Sequence, residues 1–211
     1  ENWVWKNAQV LYHDYDLALV ELSRGGADAV VVREFDLTKK EFVKNGFTLP
    51  EAKSDISWRN RDSLFVGTDF GPGSMTDSGY PRIVKEWKRG TPISDAKTLF
   101  EGKKTDVGVN GYVVHDHGQT YKFISNHPTF FSEDVYLRRD DKFISIEKPA
   151  DAVVLTYEKN ILLRLRSDWK VGGKTYTSGT LLAEDLEAYL KGERTFDVLF
   201  EPTERKSLDS V

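Results

Sequence analysis

The chain has 211 residues, with 30 basic against 34 acidic side chains, a net charge of −4 and a mean hydropathy of −0.50. A chain of this length buries roughly 70% of its unfolded surface, so its core needs no covalent staple. The lack of a basic surplus, of any run of 18 apolar residues and of cysteine excludes nucleic acid and membrane as partners, and with them disulfide and thiolate chemistry.

The opening Glu1-Asn2-Trp3-Val4-Trp5 has no initiator methionine, and Met75 is the only methionine. Removal of a leader or tag accounts for this, as does excision from a longer protein. Short runs of β-branched and aromatic residues follow: Ala29-Val30-Val31-Val32, Asp62-Ser63-Leu64-Phe65-Val66, Tyr121-Lys122-Phe123-Ile124 and Asn160-Ile161-Leu162-Leu163-Arg164-Leu165. Turn signals separate them at Gly25-Gly26, Asn45-Gly46, Asn110-Gly111, His117-Gly118 and Gly172-Gly173. Strands of this length, spaced by about 8–12 residues, specify an all-β chain. One helix of about two turns is predicted between Leu181 and Gly192, where Leu182, Leu186 and Leu190 recur at every fourth position.

The sequence also repeats itself. Leu99-Phe100-Glu101-Gly102 returns 100 residues later as Leu199-Phe200-Glu201-Pro202, with Phe143-Ile144-Ser145 near the midpoint and Glu41-Phe42-Val43 one unit earlier. Arg33-Glu34-Phe35-Asp36, Lys85-Glu86-Trp87-Lys88 and Tyr136-Leu137-Arg138-Arg139 each run through a polar turn into one of these closing strands. Hairpins such as Ile56-Ser57-Trp58 to Leu64-Phe65-Val66, and Val153-Val154-Leu155 to Ile161-Leu162-Leu163, open the units. Four units result, at 8–47, 48–102, 103–149 and 150–202, with 203–211 starting a further one. Four strands at this period are the mark of a β-propeller blade. Tandem immunoglobulin-like sandwiches need seven strands over about 100 residues and leave the midpoint repeat unexplained. The expected fold is therefore all-β, a partial β-propeller of four four-stranded antiparallel blades with one short helix in the last.

Nothing in the chain assembles a catalytic, cofactor or metal site. The nucleophile elbow Gly-x-Ser-x-Gly is absent; Gly73-Ser74-Met75-Thr76-Asp77-Ser78-Gly79 has the wrong spacing. His115, His117 and His127 suggest zinc, but Asp116-His117-Gly118 reads as a hairpin turn that splays them. Gly172-Gly173-Lys174-Thr175 imitates a phosphate loop, yet Asp168 stands where its first glycine belongs. Gly71-Pro72-Gly73 lacks the third glycine of a dinucleotide fingerprint. Trp3, Trp5, Trp58, Trp87 and Trp169 are read as blade packing, and Lys39-Lys40, Lys103-Lys104 and Arg138-Arg139 as solvated turns.

Several segments look familiar. Leu22-Ser23-Arg24-Gly25-Gly26-Ala27-Asp28-Ala29-Val30 with Arg33-Glu34-Phe35-Asp36 resembles the propeller of prolyl oligopeptidase-like serine peptidases. Gly46 to Ser54, Gly67 to Ser74, Ser78 to Arg82, Arg166 to Trp169 and Gly172 to Tyr176 extend the resemblance over most of the chain. It implies a seven-bladed propeller over an α/β-hydrolase domain, limiting access to short peptides. Four blades fall short of seven, so the missing blades and hydrolase domain of a parent chain are the implied partners, and short peptides its substrates. The chain alone is expected to be no enzyme, and Ser207 to Val211 to open a further blade. A free-standing scaffold or ligand-binding propeller is the alternative; a Gly-x-Ser-x-Gly downstream discriminates them. The compartment is expected to be the cytoplasm, with the periplasm left open. Bare end faces, around Val20 and Val31 and around Leu163 and Leu182, are expected to drive self-association unless residues 1–7 and 203–211 cover them.

Overall fold

The computed structural model describes residues 2–209. The first sheet comprises β1 (Trp3–Val10), β2 (Leu17–Arg24), β3 (Val30–Asp36) and β4 (Glu41–Phe42), in that order, with β5 (Thr48–Ala52) also paired to β3. β6 (Asp55–Asn60), β7 (Ser63–Gly67), β8 (Ile83–Lys88) and β9 (Lys97–Glu101) form the second, with a 3-10 turn at Ile93–Asp95. β10 (Gly108–Asp116), β11 (Gln119–Thr129), β12 (Ser132–Arg139) and β13 (Lys142–Ser145) form the third. In the last region β14 (Val153–Tyr157) and β15 (Asn160–Arg164) lead to a separate hairpin, β16 (Trp169–Val171) and β17 (Lys174–Tyr176). β18 (Leu181–Asp185), α1 (Leu186–Leu190) and β19 (Asp197–Phe200) follow, and the fourth sheet runs β14-β15-β18-β19. Every pairing given for these strands is antiparallel, and the chain is a partial β-propeller.

The repeats mark equivalent strands. Glu41-Phe42, Leu99-Phe100-Glu101, Phe143-Ile144-Ser145 and Leu199-Phe200 lie in β4, β9, β13 and β19, the last strand of each sheet in chain order apart from β5. β3, β8 and β12 carry the three polar-ended runs that precede them.

The strands gather into two compact units, divided between Val113 and Val114 within β10. In the first, Leu19, Val32 and Leu49 from one sheet and Ile56, Trp58, Leu64 and Val66 from the next form a single buried cluster. Burying each large side chain contributes about 1.5–3 kcal/mol. Phe47 meets the edges of Trp58 and Trp87, with ring centroids 5.9 Å and 4.9 Å away. Gln9 ties the two sheets together: its Nε2 donates to Ile56 O (2.7 Å), and its own carbonyl accepts from Trp58 Nε1 (2.8 Å).

The first sheet starts at Trp3 and reaches Ala52, wider than the expected 8–47. β4 has only two residues, paired to Phe35 and Asp36, and β5 continues the pairing of β3 at Val30, Val32 and Arg33. The intervening loop sends Phe47 into the core. That path requires glycine at 46, where a Cβ would lie 2.7 Å from Glu34 Oε2 and 2.9 Å from Val43 Cβ.

The predicted helix is half strand. Leu181, Leu182 and Ala183 are consecutively buried in β18, between β15 and β19, and the helix starts only where Asp185 caps it by accepting from Ala188 N at 3.0 Å. Leu163 and Leu182, expected near a bare terminal face, are fully buried. Another cluster on this sheet holds Leu162, Leu181 and Ala183, against which Leu155, Phe200 and Leu208 pack. Arg164 holds the tail there through Leu208 O (2.6 Å) and Asp209 O (3.1 Å). Residues 203–209 form a Thr203–Lys206 bridge rather than the expected opening strand; Ser210 and Val211 lie outside the described residues.

One carboxyl group in the first unit is out of balance. Burial, then the nearby charge of Glu21, pushes Asp55 up to about 6. A carboxyl with a raised folded pKa favours folding at low pH, and that contribution is lost as pH rises from about 4 through 6. Neighbouring atoms crowd the carboxyl, yet Asp55 keeps contact with solvent, and that screening reduces the effect to about 1 kcal/mol. Asp55→Asn is therefore expected to match the parent near pH 4 and exceed its stability at pH 7. Urea unfolding at both pH values checks this, and equal stability at pH 7 counts against it.

Candidate functional site

In each four-stranded meander, the connection from the second to the third strand and the exit from the fourth lie at the same end of the sheet. In the second unit this end holds the β11–β12 hairpin tip, the segment from Ile146 to Ala152 and the β16–β17 excursion. A cleft of about 520 Å³ opens here, lined by His127, Phe130, Phe131, Glu133, Asp151 and Arg166 among others. Its size suits a small ligand or a short peptide.

Its rim is unusually apolar. Phe130 and Phe131 are 78% and 87% exposed at the hairpin tip. The tip is held by local polar bonds, not by packing: Thr129 N donates to Ser132 Oγ (3.1 Å) and Phe131 N to Thr129 Oγ1 (3.2 Å). A polar network adjoins it through the lining residues His127, Glu133 and Asp151. The Ser125 hydroxyl donates to Glu133 and lies 3.2 Å from His127 Nε2. Lys148 Nζ donates to Glu133 O at 2.6 Å, and burial pushes this ammonium below its ordinary pKa, opposed by Glu133, Asp134 and Asp151. Asp151 accepts from Ser167 Oγ at 2.9 Å.

A serine, a histidine and a carboxylate meet here without forming a nucleophilic relay. Ser125 is 1% exposed and gives its proton directly to Glu133, whereas a serine nucleophile hands its proton to histidine. Positioning, not bond-making, is what this arrangement can do.

The other motifs occupy structural positions. His115 Nδ1 lies 3.1 Å from Thr120 Oγ1 and His117 Nδ1 2.5 Å from Asp116. His117 and Gly118 form a two-residue turn with φ of 44° and 78°. Among the described residues no group of three or more His, Cys, Asp or Glu side chains is placed to hold a metal ion. Ser74 is buried, its hydroxyl 2.7 Å from Gly71 O, and Gly172-Gly173 is the β16–β17 turn. Trp58 and Trp87 are core, whereas Trp5 is 64% exposed.

Two basic pairs behave as read, and one does not. Lys39 and Lys104 pair with Asp36 and Asp77 at the surface. Arg138 and Arg139 end strand β12 instead of sitting in a solvated turn. Arg138 is buried and bonded to Asp141, and Arg139 is clamped by Glu187 of α1. Acidic partners across the turn and on the helix explain their position.

Comparison with known proteins decides the family. The family model for the prolyl oligopeptidase N-terminal β-propeller domain matches residues 6–168. The chain belongs to the prolyl oligopeptidase family. It is 34% identical over 218 residues to an uncharacterized peptidase of Sinorhizobium fredii, covering 99% of this chain and 30% of that protein. An uncharacterized peptidase of Rickettsia prowazekii is 33% identical over 211 residues, covering 92% of this chain and 29% of that protein. The chain thus spans less than a third of these relatives. A post-proline cleaving enzyme from Rickettsia typhi superposes with a TM-score of 0.87 at 29% identity, over 95% of this chain and 32% of that one. Oligopeptidase B from Leishmania major, at 11% identity and a TM-score of 0.67, covers 99% of this chain and 28% of its own, and shares the fold. Within this prolyl oligopeptidase propeller, Phe130-Phe131 is the feature sequence reading missed. Its signal was available: two large apolar residues between Pro128-Thr129 and Ser132-Glu133, where a turn calls for polar ones.

Proposed function

We propose that this chain is a non-catalytic propeller segment of a prolyl oligopeptidase-type serine peptidase, gating access of short peptides to an α/β-hydrolase domain elsewhere in the parent. The family match over residues 6–168 carries this reading. It is supported by the relatives' being named peptidases and being more than three times the length of this chain. Further blades and the hydrolase domain are the partners it implies. The cleft under Phe130 and Phe131 supplies a surface on which a peptide can be held before reaching the catalytic domain.

The isolated chain is expected to hydrolyse no proline- or lysine-containing chromogenic peptide and to take no label from a fluorophosphonate probe. Turnover that co-purifies with the chain, or covalent labelling of any of its serines, overturns the non-catalytic assignment. In the full-length parent, gating predicts cleavage of short peptides and resistance of the same sequence displayed in a folded protein's flexible loop. Equal rates on both remove the gating role.

A further inference from the structure

The cleft in the second unit is chemically asymmetric. Its acidic groups are already engaged: Glu133 accepts the Ser125 hydroxyl, and Asp151 accepts Ser167 Oγ at 2.9 Å. His127 lies 3.2 Å from Ser125 through Nε2, and the Lys148 ammonium is spent on the carbonyls of Glu133, Pro149 and Ala150. Arg166 differs from all of these. It is exposed and lines the cleft, and among the described residues its guanidinium has no hydrogen-bonding or ionic partner. Its backbone is fixed, since Arg166 O accepts from Ser178 Oγ at 2.8 Å at the base of the β16–β17 excursion.

An unengaged guanidinium and two exposed phenylalanines therefore border one cleft of about 520 Å³. A guanidinium presents parallel N–H donors matched to a carboxylate, and exposed aromatic faces match an apolar side chain. From this we infer that the cleft binds the C-terminal end of a short peptide, with Arg166 taking the terminal carboxylate and Phe130-Phe131 the apolar side chain beside it. A terminal carboxylate carries its side chain on the same Cα, so both groups arrive in one residue. An internal segment of a long chain offers no such carboxylate. The inference rests on the gating reading and adds a specific criterion to it: this surface recognises a free chain end.

Isothermal titration of the 211-residue chain with N-acetyl-alanyl-alanyl-phenylalanine tests this against two other probes. One is the C-terminal amide of that peptide; the other is an amide with glutamate at its centre. The free acid is expected to bind, with the plain amide weaker by about fivefold or more, the scale of one charge-assisted contact. Arg166→Gln should make acid and amide alike. Phe130→Ala with Phe131→Ala should weaken both, and because both side chains are exposed the fold should be kept, as circular dichroism verifies. Equal affinity for acid and amide in the unaltered chain, discrimination that survives Arg166→Gln, or no saturable binding of any probe at millimolar concentration each overturns the inference. Binding of the glutamyl amide as tight as the acid overturns the terminal-carboxylate assignment in favour of a side-chain carboxylate. None of these outcomes touches gating, which is read separately from cleavage by the parent.

Discussion

Replacing Arg89 by alanine is expected to lower the unfolding free energy by about 3–5 kcal/mol, the cost of stranding a buried charge. The charge left behind is Glu34, whose side chain is only 1% exposed. Arg89 meets it with two parallel bonds, Nη1 to Oε2 and Nη2 to Oε1, both at 2.9 Å. Glu34 also accepts from Phe47 N at 2.8 Å, so the carboxylate fixes the loop that delivers Phe47 to the core. The guanidinium lies 4.6 Å from the Phe47 ring centroid, and Nη2 donates to Arg61 O at 2.7 Å. Three roles are therefore lost together: neutralisation, ring stacking and a bridge to the β6–β7 turn. Arg89→Lys keeps the charge but not the two-pronged geometry, and should fall between parent and alanine. In the double variant Glu34→Gln, Arg89→Ala, part of the loss should return because no unpaired carboxylate remains. Urea unfolding followed by tryptophan fluorescence reads all three, and a loss below about 1 kcal/mol for Arg89→Ala contradicts the account.

The sequence carries the architecture well where it repeats. Phe100 and Phe200 stand 100 residues apart on equivalent strands, and no single-domain sandwich requires that period. It is ambiguous where two periods coincide. Leu182, Leu186 and Leu190 fit a helix, but Leu181 to Ala183 form a fully buried strand, and a short buried strand has no alternation to betray it. It is silent on pairs brought together only by packing. Glu34 and Arg89 lie 55 residues apart with no local pattern to connect them. The same limit hides the cleft. Arg166 lies in the loop between β15 and β16 and the Phe130-Phe131 pair at the β11–β12 tip, and no local pattern connects the two segments.

Trp58→Ala should be the most damaging single change in the first unit's core, at about 3–5 kcal/mol. Trp58 is 5% exposed and belongs to the cluster that joins the first two sheets. Its loss opens a cavity beside Phe47 and leaves Gln9 O without the indole donor it meets at 2.8 Å. Trp58→Phe separates these effects, because it keeps most of the ring and removes the N–H. A hydrogen bond of this kind contributes about 0.5–1.5 kcal/mol net, and the smaller ring adds a modest packing loss. Phenylalanine should therefore cost about 2 kcal/mol, clearly less than alanine. Phe47 connects this site to Arg89, since both Trp58 and Arg89 rest against its ring. The combined variant Trp58→Ala, Arg89→Ala should then lose less than the two single losses added, because releasing Phe47 once removes a contact that both depend on. Strict additivity in a double-mutant cycle would show that Phe47 does not couple them, and that the two sheets are held by independent contacts.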